Sequence, residues 1–474
     1  MNGKAGLRHL LLTPLILGVC SSSLQASQAE NNITLALVGG RLIDGYGGDP
    51  IDDSVVLVAG NTILDVGRVG RLAVPENVEV VATRGMTVLP GLWESHGHLM
   101  HVGAGDPAAY LSRFADRIPE IMARVAEISL MAGVTSFRDV GGPLAQQMRL
   151  REEIGAGRKP GPRLYLAGPI VTYRHAKNAA TPDRDLEANV IREVGEHSVG
   201  TPQEARAVAE ELVGLHVDQI KIFGFQDQSV LEPLVEAAHA AGIGIDADVR
   251  NVEAYRVAIG AGVDRLHHVF TADPLSDYSD DEMRTLIRGE RPIAIGPWTS
   301  MLRGPYILPT IEMRQAYVRV HDFPGILEHP TLREQFTPDL YEFLYESWRR
   351  FPAIPWGRGA RQRLDVVKQK LRAFIEAGGR EQLVAGCDTG SPLNFHSPLA
   401  REVANLVEAG LPPMEAIESA TARAAEMQGV DQKLGTVSPG KLADIIVVDG
   451  DPLQNIEVLE RHVVRVIKNG VIYK

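Results

Sequence analysis

The sequence predicts an α/β protein: a (β/α)8 barrel of the TIM type with a small β-sandwich domain formed from both termini. Three observations carry this expectation. Eight short apolar runs alternate with helix-like stretches through the middle of the chain, and β-branched segments crowd its two ends. The composition is that of an ordinary globular protein, with 474 residues, 45% hydrophobic and 23% charged. That length can bury a large core. The formal charge of −12 argues against a general affinity for nucleic-acid phosphate.

The chain starts with Lys4 and Arg8, then an apolar run from Leu10 to Cys20, then Ser21 to Ala29. A charged start, a short apolar stretch and small residues at Ser27-Gln28-Ala29 predict a signal peptide over 1–29, and so a periplasmic or secreted protein. The run is about half of the roughly 20 residues that a membrane span needs, so no membrane contact is expected once the leader is removed. Cys20 and Cys387 are the only cysteines. With Cys20 lost in the leader, no intramolecular disulfide is possible.

Residues 30–85 read as the first part of the sandwich. Ile33 to Val38, Ser54 to Ala59, Thr62 to Val66 and Val78 to Ala82 are β-branched runs, with glycine-containing turns such as Gly39-Gly40 and Gly60-Asn61 between them. Residues 429–474 have the same texture in Ala443 to Val448, Val463 to Ile467 and Gly470 to Tyr473, and supply the second part. Residues 86–428 form the barrel. Its strand candidates are Met86 to Pro90, Val134 to Asp139, Arg163 to Val171, Gln219 to Phe223, Gly242 to Asp248, Arg265 to Phe270, Pro292 to Gly296 and Leu383 to Asp388. Helix candidates such as Pro202 to Leu215, Leu231 to Ala241 and Val252 to Gly260 fall between them. A doubly wound sheet is the alternative, but no glycine-rich dinucleotide loop supports it. Residues 172–200 are polar with little period. Residues 297–378 form an aromatic-rich insertion, read either as a lid or substrate wall, or as a helical layer packing on the barrel or on another subunit of a homo-oligomer.

His96-Gly97-His98 follows an apolar segment. Side chains two apart in a strand point to the same side, so both imidazoles can face one point, and imidazole is the commonest metal ligand. Asp388 ends the last strand candidate, where a carboxylate can bind metal, act as a base or merely cap the next element. His268 ends the sixth candidate. Lys221 lies among apolar neighbours in the fourth, and a buried lysine needs a partner, a shifted pKa or a modification.

These segments together resemble the amidohydrolase superfamily, specifically its imidazolonepropionase-like and prolidase-like members. The similarity runs through Leu89 to His98, Gly133 to Asp139, Asp218 to Phe223, Ala261 to His268, Gly386-Cys387-Asp388 and Gly435 to Asp444. It implies one or two divalent ions such as Zn2+, with His96 and His98 on one ion and a carboxylated Lys221 bridging two. It further implies His268 on the second ion, and Asp388 on the first while moving protons. The fifth strand departs from the family pattern. Asp248 stands where the family usually has a histidine, and a carboxylate can also ligate zinc. Glu94 replaces the usual acid before the histidine pair.

The expected reaction is hydrolysis of an amide-type bond in a peptide-like or N-acyl amino acid substrate by metal-activated water, with Asp388 as general base and then general acid. His267, Tyr173, His175, Arg250 and His396 are candidates for substrate contact, though each reads more readily as a packing or surface residue. A cyclic amidase, a lactonase or a deaminase on the same site remains open, as does a metal-deficient binding protein.

Overall fold

The computed structural model describes residues 33–174, 197–249, 251–270, 294–295, 298–299, 304–350, 359–395 and 399–474. The expected leader, His175, Arg250 and His396 lie outside the described residues. Strands β1 (Ile33–Leu42), β2 (Ile51–Ala59), β3 (Thr62–Arg68), β4 (Glu79–Ala82) and β5 (Met86–Pro90) share one mixed sheet with the C-terminal strands Ile445–Asp449, Val463–Lys468 and Val471–Ile472. The two ends of the chain therefore meet in one sheet, joined where β5 pairs antiparallel with Ile445–Asp449. Alternation along β1 divides its side chains between two faces. Leu35 and Leu37 pack with Val56, Ile445 and Val447, while Ala36 packs with Val55 and Leu57 on the other side.

A second set of strands begins immediately after Pro90. β6 (Leu92–Gly97), β7 (Val134–Asp139) and β8 (Arg163–Leu166) pair in parallel. After Gly168, at φ 69, the chain resumes as β9 (Val171–Tyr173), flanked by β10 (His197–Val199) and β11 (Gln219–Phe223). β12 (Gly244–Asp248) and β13 (Arg265–His267) continue the parallel order. Ala294–Ile295 and Trp298–Thr299, β14 and β15, pair with each other, and β16 (Tyr306–Leu308) follows β13 in the parallel sheet. The extended segment 383–389 bridges Ile307 of β16 through Leu383 and Gly97 of β6 through Thr389, both in parallel.

Three expectations about strands need correction. Met86–Pro90 belongs to the mixed sheet, and the first parallel strand is Leu92–Gly97. The chain passes from one sheet to the other at Gly91, where a Cβ would stand 2.1 Å from the Thr135 hydroxyl, so only glycine fits. A continuous apolar run hides this change of sheet. Arg163 to Val171 is two strands rather than one. The strand that pairs with β13 is Tyr306–Leu308, three residues held between Pro305 and Pro309; of the expected strand Pro292 to Gly296 only 294 and 295 are described, and they pair with Trp298–Thr299. Three residues carry too short a pattern to mark a strand, and pairing with β13 is what places Tyr306–Leu308 in the sheet.

The helices Ile311–Asp322, Pro330–Glu334, Pro338–Arg350 and Ala360–Glu376 then return the chain to 383–389. They pack on their own chain. Trp348 is fully buried, and its Nε1 donates to the Gly103 carbonyl at 2.6 Å, while its ring meets Phe395 edge-on. The Ser347 hydroxyl accepts from the Gly105 N–H at 3.1 Å. These contacts tie the helical segment to the loop that follows His98. Among the described residues no helix is long and apolar enough to cross a membrane.

Candidate metal centre

Six sequence-predicted side chains converge where the parallel strands end. His96 lies in β6 and His98 directly after it, Lys221 in β11, and Asp248 ends β12. His268 follows β13 and Asp388 lies in the 383–389 segment. His96, His98 and Asp388 each place a ligand atom within 4.8 Å of one another, and so do His96, Asp248 and His268. His96 Nε2 and His98 Nε2 stand 3.7 and 3.5 Å from Asp388 Oδ1. His268 Nε2 is 3.4 Å from Asp248 Oδ1 and 4.0 Å from Asp388 Oδ2. Lys221 Nζ lies 2.5 Å from Asp248 Oδ1.

The backbone that presents these groups is strained. His268 and Asp388 sit at φ 63 and 56, in the left-handed region that side chains with a Cβ rarely adopt, and Thr310 sits at φ 54. The Thr310 hydroxyl donates to the Pro309 carbonyl at 2.7 Å and faces His268 Nδ1 at 2.7 Å. With its proton committed to Pro309, Thr310 Oγ1 accepts from Nδ1–H. Nε2 of His268 then faces Asp248 and Asp388.

Electrostatics favours the ionised form of both carboxylates. Burial opposes ionisation of Asp388, but His98 and His268 overcome it and hold its pKa below the usual range. Burial is likewise overcome at Asp248, chiefly by Lys221 and then His268. Burial and the nearby Lys221 hold the His96 pKa well below normal, so the ring stays neutral and keeps a lone pair for a cation.

Residues beyond the predicted set complete the site. Glu94 Oε1 accepts from the N–H groups of His96 and Cys387, both at 3.0 Å, and Oε2 accepts from the Cys387 thiol. One buried carboxyl therefore stitches β6 to the 383–389 segment, and burial raises its pKa to about 7. Asp139, at the end of β7, is also buried; desolvation lifts its pKa to about 6 against the opposing pull of His98. Below the metal-facing groups, Asp246 is bound by Arg138, Arg265 and His267. The signal for these residues was present in the sequence. Arg138-Asp139, Asp246 and Arg265 are charges inside apolar runs, and the argument that singled out Lys221 applies to each.

The proposed substrate contacts fare differently. Tyr173 ends β9 and stacks on Phe225 with ring centroids 5.7 Å apart. His267 does not face open space. It is fully buried, with one ring nitrogen on Asp246 and the other on His96, so the expected substrate contact finds no exposed face of this ring. His267 is adjacent in sequence to His268, but alternation turns it to the other neighbours.

A family model described as the amidohydrolase family matches residues 353–473. The chain is 24% identical over 430 residues to imidazolonepropionase of Streptomyces griseus subsp. griseus, covering 84% of this chain and 86% of that enzyme. Among solved structures it is similar to a Xaa-Pro dipeptidase with bound methionine in the active site, with a TM-score of 0.69 and 24% identity over 93% of this chain and 99% of that one. Phenylurea hydrolase B is similar too, with a TM-score of 0.68 and 24% identity over 93% of this chain and 96% of that one. The α/β fold is shared with these solved structures, and the buried histidine–carboxylate cluster is one that could hold a metal ion. The family model over residues 353–473 and the imidazolonepropionase similarity support the resemblance to amidohydrolases that the sequence carries.

Proposed function

We propose that this enzyme hydrolyses amide bonds of small peptide-like or N-acyl amino acid substrates at a zinc site. The carrying observation is the meeting of His96, His98, Lys221, Asp248, His268 and Asp388, which come from five separate parts of the chain. Neutral imidazole with carboxylate is a donor set that suits zinc. His96, His98 and Asp388 would hold one ion. His268, Asp248 and a carboxylated Lys221 would hold a second, the carbamate also bridging to the first. A carbamate would turn a buried amine beside a carboxylate into an oxygen ligand. The reading includes a (β/α)8 barrel that starts at β6 and is closed by the 383–389 segment, and a β-sandwich domain built from both termini, to which Met86–Pro90 belongs. The bridges to Ile307 and Gly97 support that closure.

When bound, the ion supplies a more acidic water and polarises the carbonyl. The chain's own groups do the rest. Asp388, held ionised, takes the water proton and delivers it to the leaving nitrogen. Glu94 keeps Asp388 in register through its bond to the Cys387 N–H, and Thr310 fixes the ring of His268. The similar dipeptidase and phenylurea hydrolase, each named for splitting an amide or urea bond, support the choice of substrate class. The leader-like start supports export to the periplasm or medium, which N-terminal sequencing of the exported protein checks.

Purified protein should bind zinc by elemental analysis and release free amino acids from a panel of dipeptides and N-acyl amino acids. Release of ammonia instead points to a deaminase. Zinc-loaded protein that turns over no member of the panel overturns the substrate class, and protein that binds no zinc overturns the whole reading. For Lys221, protein incubated with 13C-bicarbonate should give one carbamate resonance that is absent from Lys221→Arg. A spectrum identical in both proteins removes the bridging carbamate.

A further inference from the structure

A buried layer of charge beneath the candidate metal ligands takes no part in the reaction described above. Asp246 is two residues before Asp248 in β12, so it shares a side with it, one step deeper. Its carboxylate is fully buried. Arg138 Nη2 donates to Oδ1 at 3.0 Å and to Oδ2 at 2.8 Å, and Arg265 Nη1 to Oδ2 at 3.3 Å. His267 Nε2 lies 2.7 Å from Oδ1, and His267 Nδ1 lies 2.5 Å from His96 Nδ1.

The proton positions follow from the donor inventory. A carboxylate facing two guanidiniums stays ionised and can only accept, so the ring nitrogen of His267 that meets it is the donor. In a neutral ring the other nitrogen then carries a lone pair. That nitrogen faces His96 Nδ1, which must supply the proton of the contact. His96 is then left with its lone pair on Nε2, the atom that points towards Asp388.

We propose that Asp246 acts through His267 to set the tautomer and ring direction of His96, making Asp246 and His267 positioning residues for the metal. Arg138 and Arg265 keep the first member of the relay charged. Arg138 is itself held by the Gln428 side chain at 2.7 Å and the Ser95 carbonyl at 3.1 Å, and Arg265 by the Met427 carbonyl at 2.9 Å. The relay therefore has a base that is anchored in two further segments, β6 and the helix Ala422–Gln428. The inference rests on the proposed metal at His96, but its proton arrangement exists without metal.

Two measurements test it. Long-range 1H–15N correlation spectra of 15N-histidine-labelled, chelator-treated protein should show His96 protonated on Nδ1 and His267 protonated on Nε2. A His96 ring protonated on Nε2 overturns the relay, whether or not zinc binds. Chelator competition should then show zinc affinity about 10- to 100-fold lower in His267→Phe, the usual effect of losing an orienting partner. His267→Gln, whose amide can donate to Asp246 and accept from His96, should recover most of that affinity. A Phe variant that binds zinc as tightly as the parent protein refutes the proposal. Wild-type protein that shows the expected tautomers yet binds no zinc leaves the relay standing and sinks the proposed function instead.

Discussion

Asp388→Asn is expected to lower kcat/KM for amide hydrolysis by about 100- to 10,000-fold, the usual contribution of a positioned acid–base group. Asp388 is held ionised and lies 3.5 Å from His98 Nε2 and 3.7 Å from His96 Nε2. Asparagine keeps the size and an acceptor oxygen but can neither take a proton nor carry the charge. The left-handed backbone at this position, φ 56, is one that asparagine tolerates well, so the fold should survive. Initial rates at saturating zinc, with zinc content measured on the same sample, separate loss of proton transfer from loss of metal. Activity within tenfold of the parent at full zinc occupancy would remove Asp388 from the chemistry.

The largest effect on stability is expected at Asp246. Asp246→Ala should cost about 3–5 kcal/mol, because it leaves Arg138 and Arg265 as buried charges without their carboxylate. The Arg138 and Asp246 side chains have no exposed surface, and Arg265 is 7% exposed. Burial by itself would raise the Asp246 pKa; the two guanidiniums and His267 reverse this and drive it far below the usual range. An exposed pair such as Arg206–Glu236 serves as control, with an expected loss of no more than about 1 kcal/mol. Urea unfolding followed by circular dichroism compares the two. Equal losses at both positions would mean that the buried layer contributes no more than a surface ion pair.

Much of the candidate site was legible because its chemistry is local. His96 and His98 announce themselves by strand period, Lys221 by its apolar neighbours and Asp388 by its place at the end of a run. The terminal strands were legible for the same kind of reason, since β-branched alternation is a property of a few consecutive residues. Strand β16 was not. Tyr306-Ile307-Leu308 between two prolines carries too short a pattern, and only hydrogen bonding to β13 distinguishes it from a loop. Thr310 was equally silent. Nothing around it marks a left-handed backbone or a partner for His268, 42 residues away.

What the amino-acid order alone determined was the kind of side chain offered at each strand end and the α/β alternation that brings such ends together. The tertiary structure decided which groups are paired. Arg138, Asp246 and Arg265 are each unfavourable as lone buried charges, and their partners are 19 to 108 residues apart. Pairing energy depends on distance and desolvation in three dimensions, which no window of neighbouring residues contains. The same reason sets His267 between Asp246 and His96, two groups that the residues beside it do not foretell.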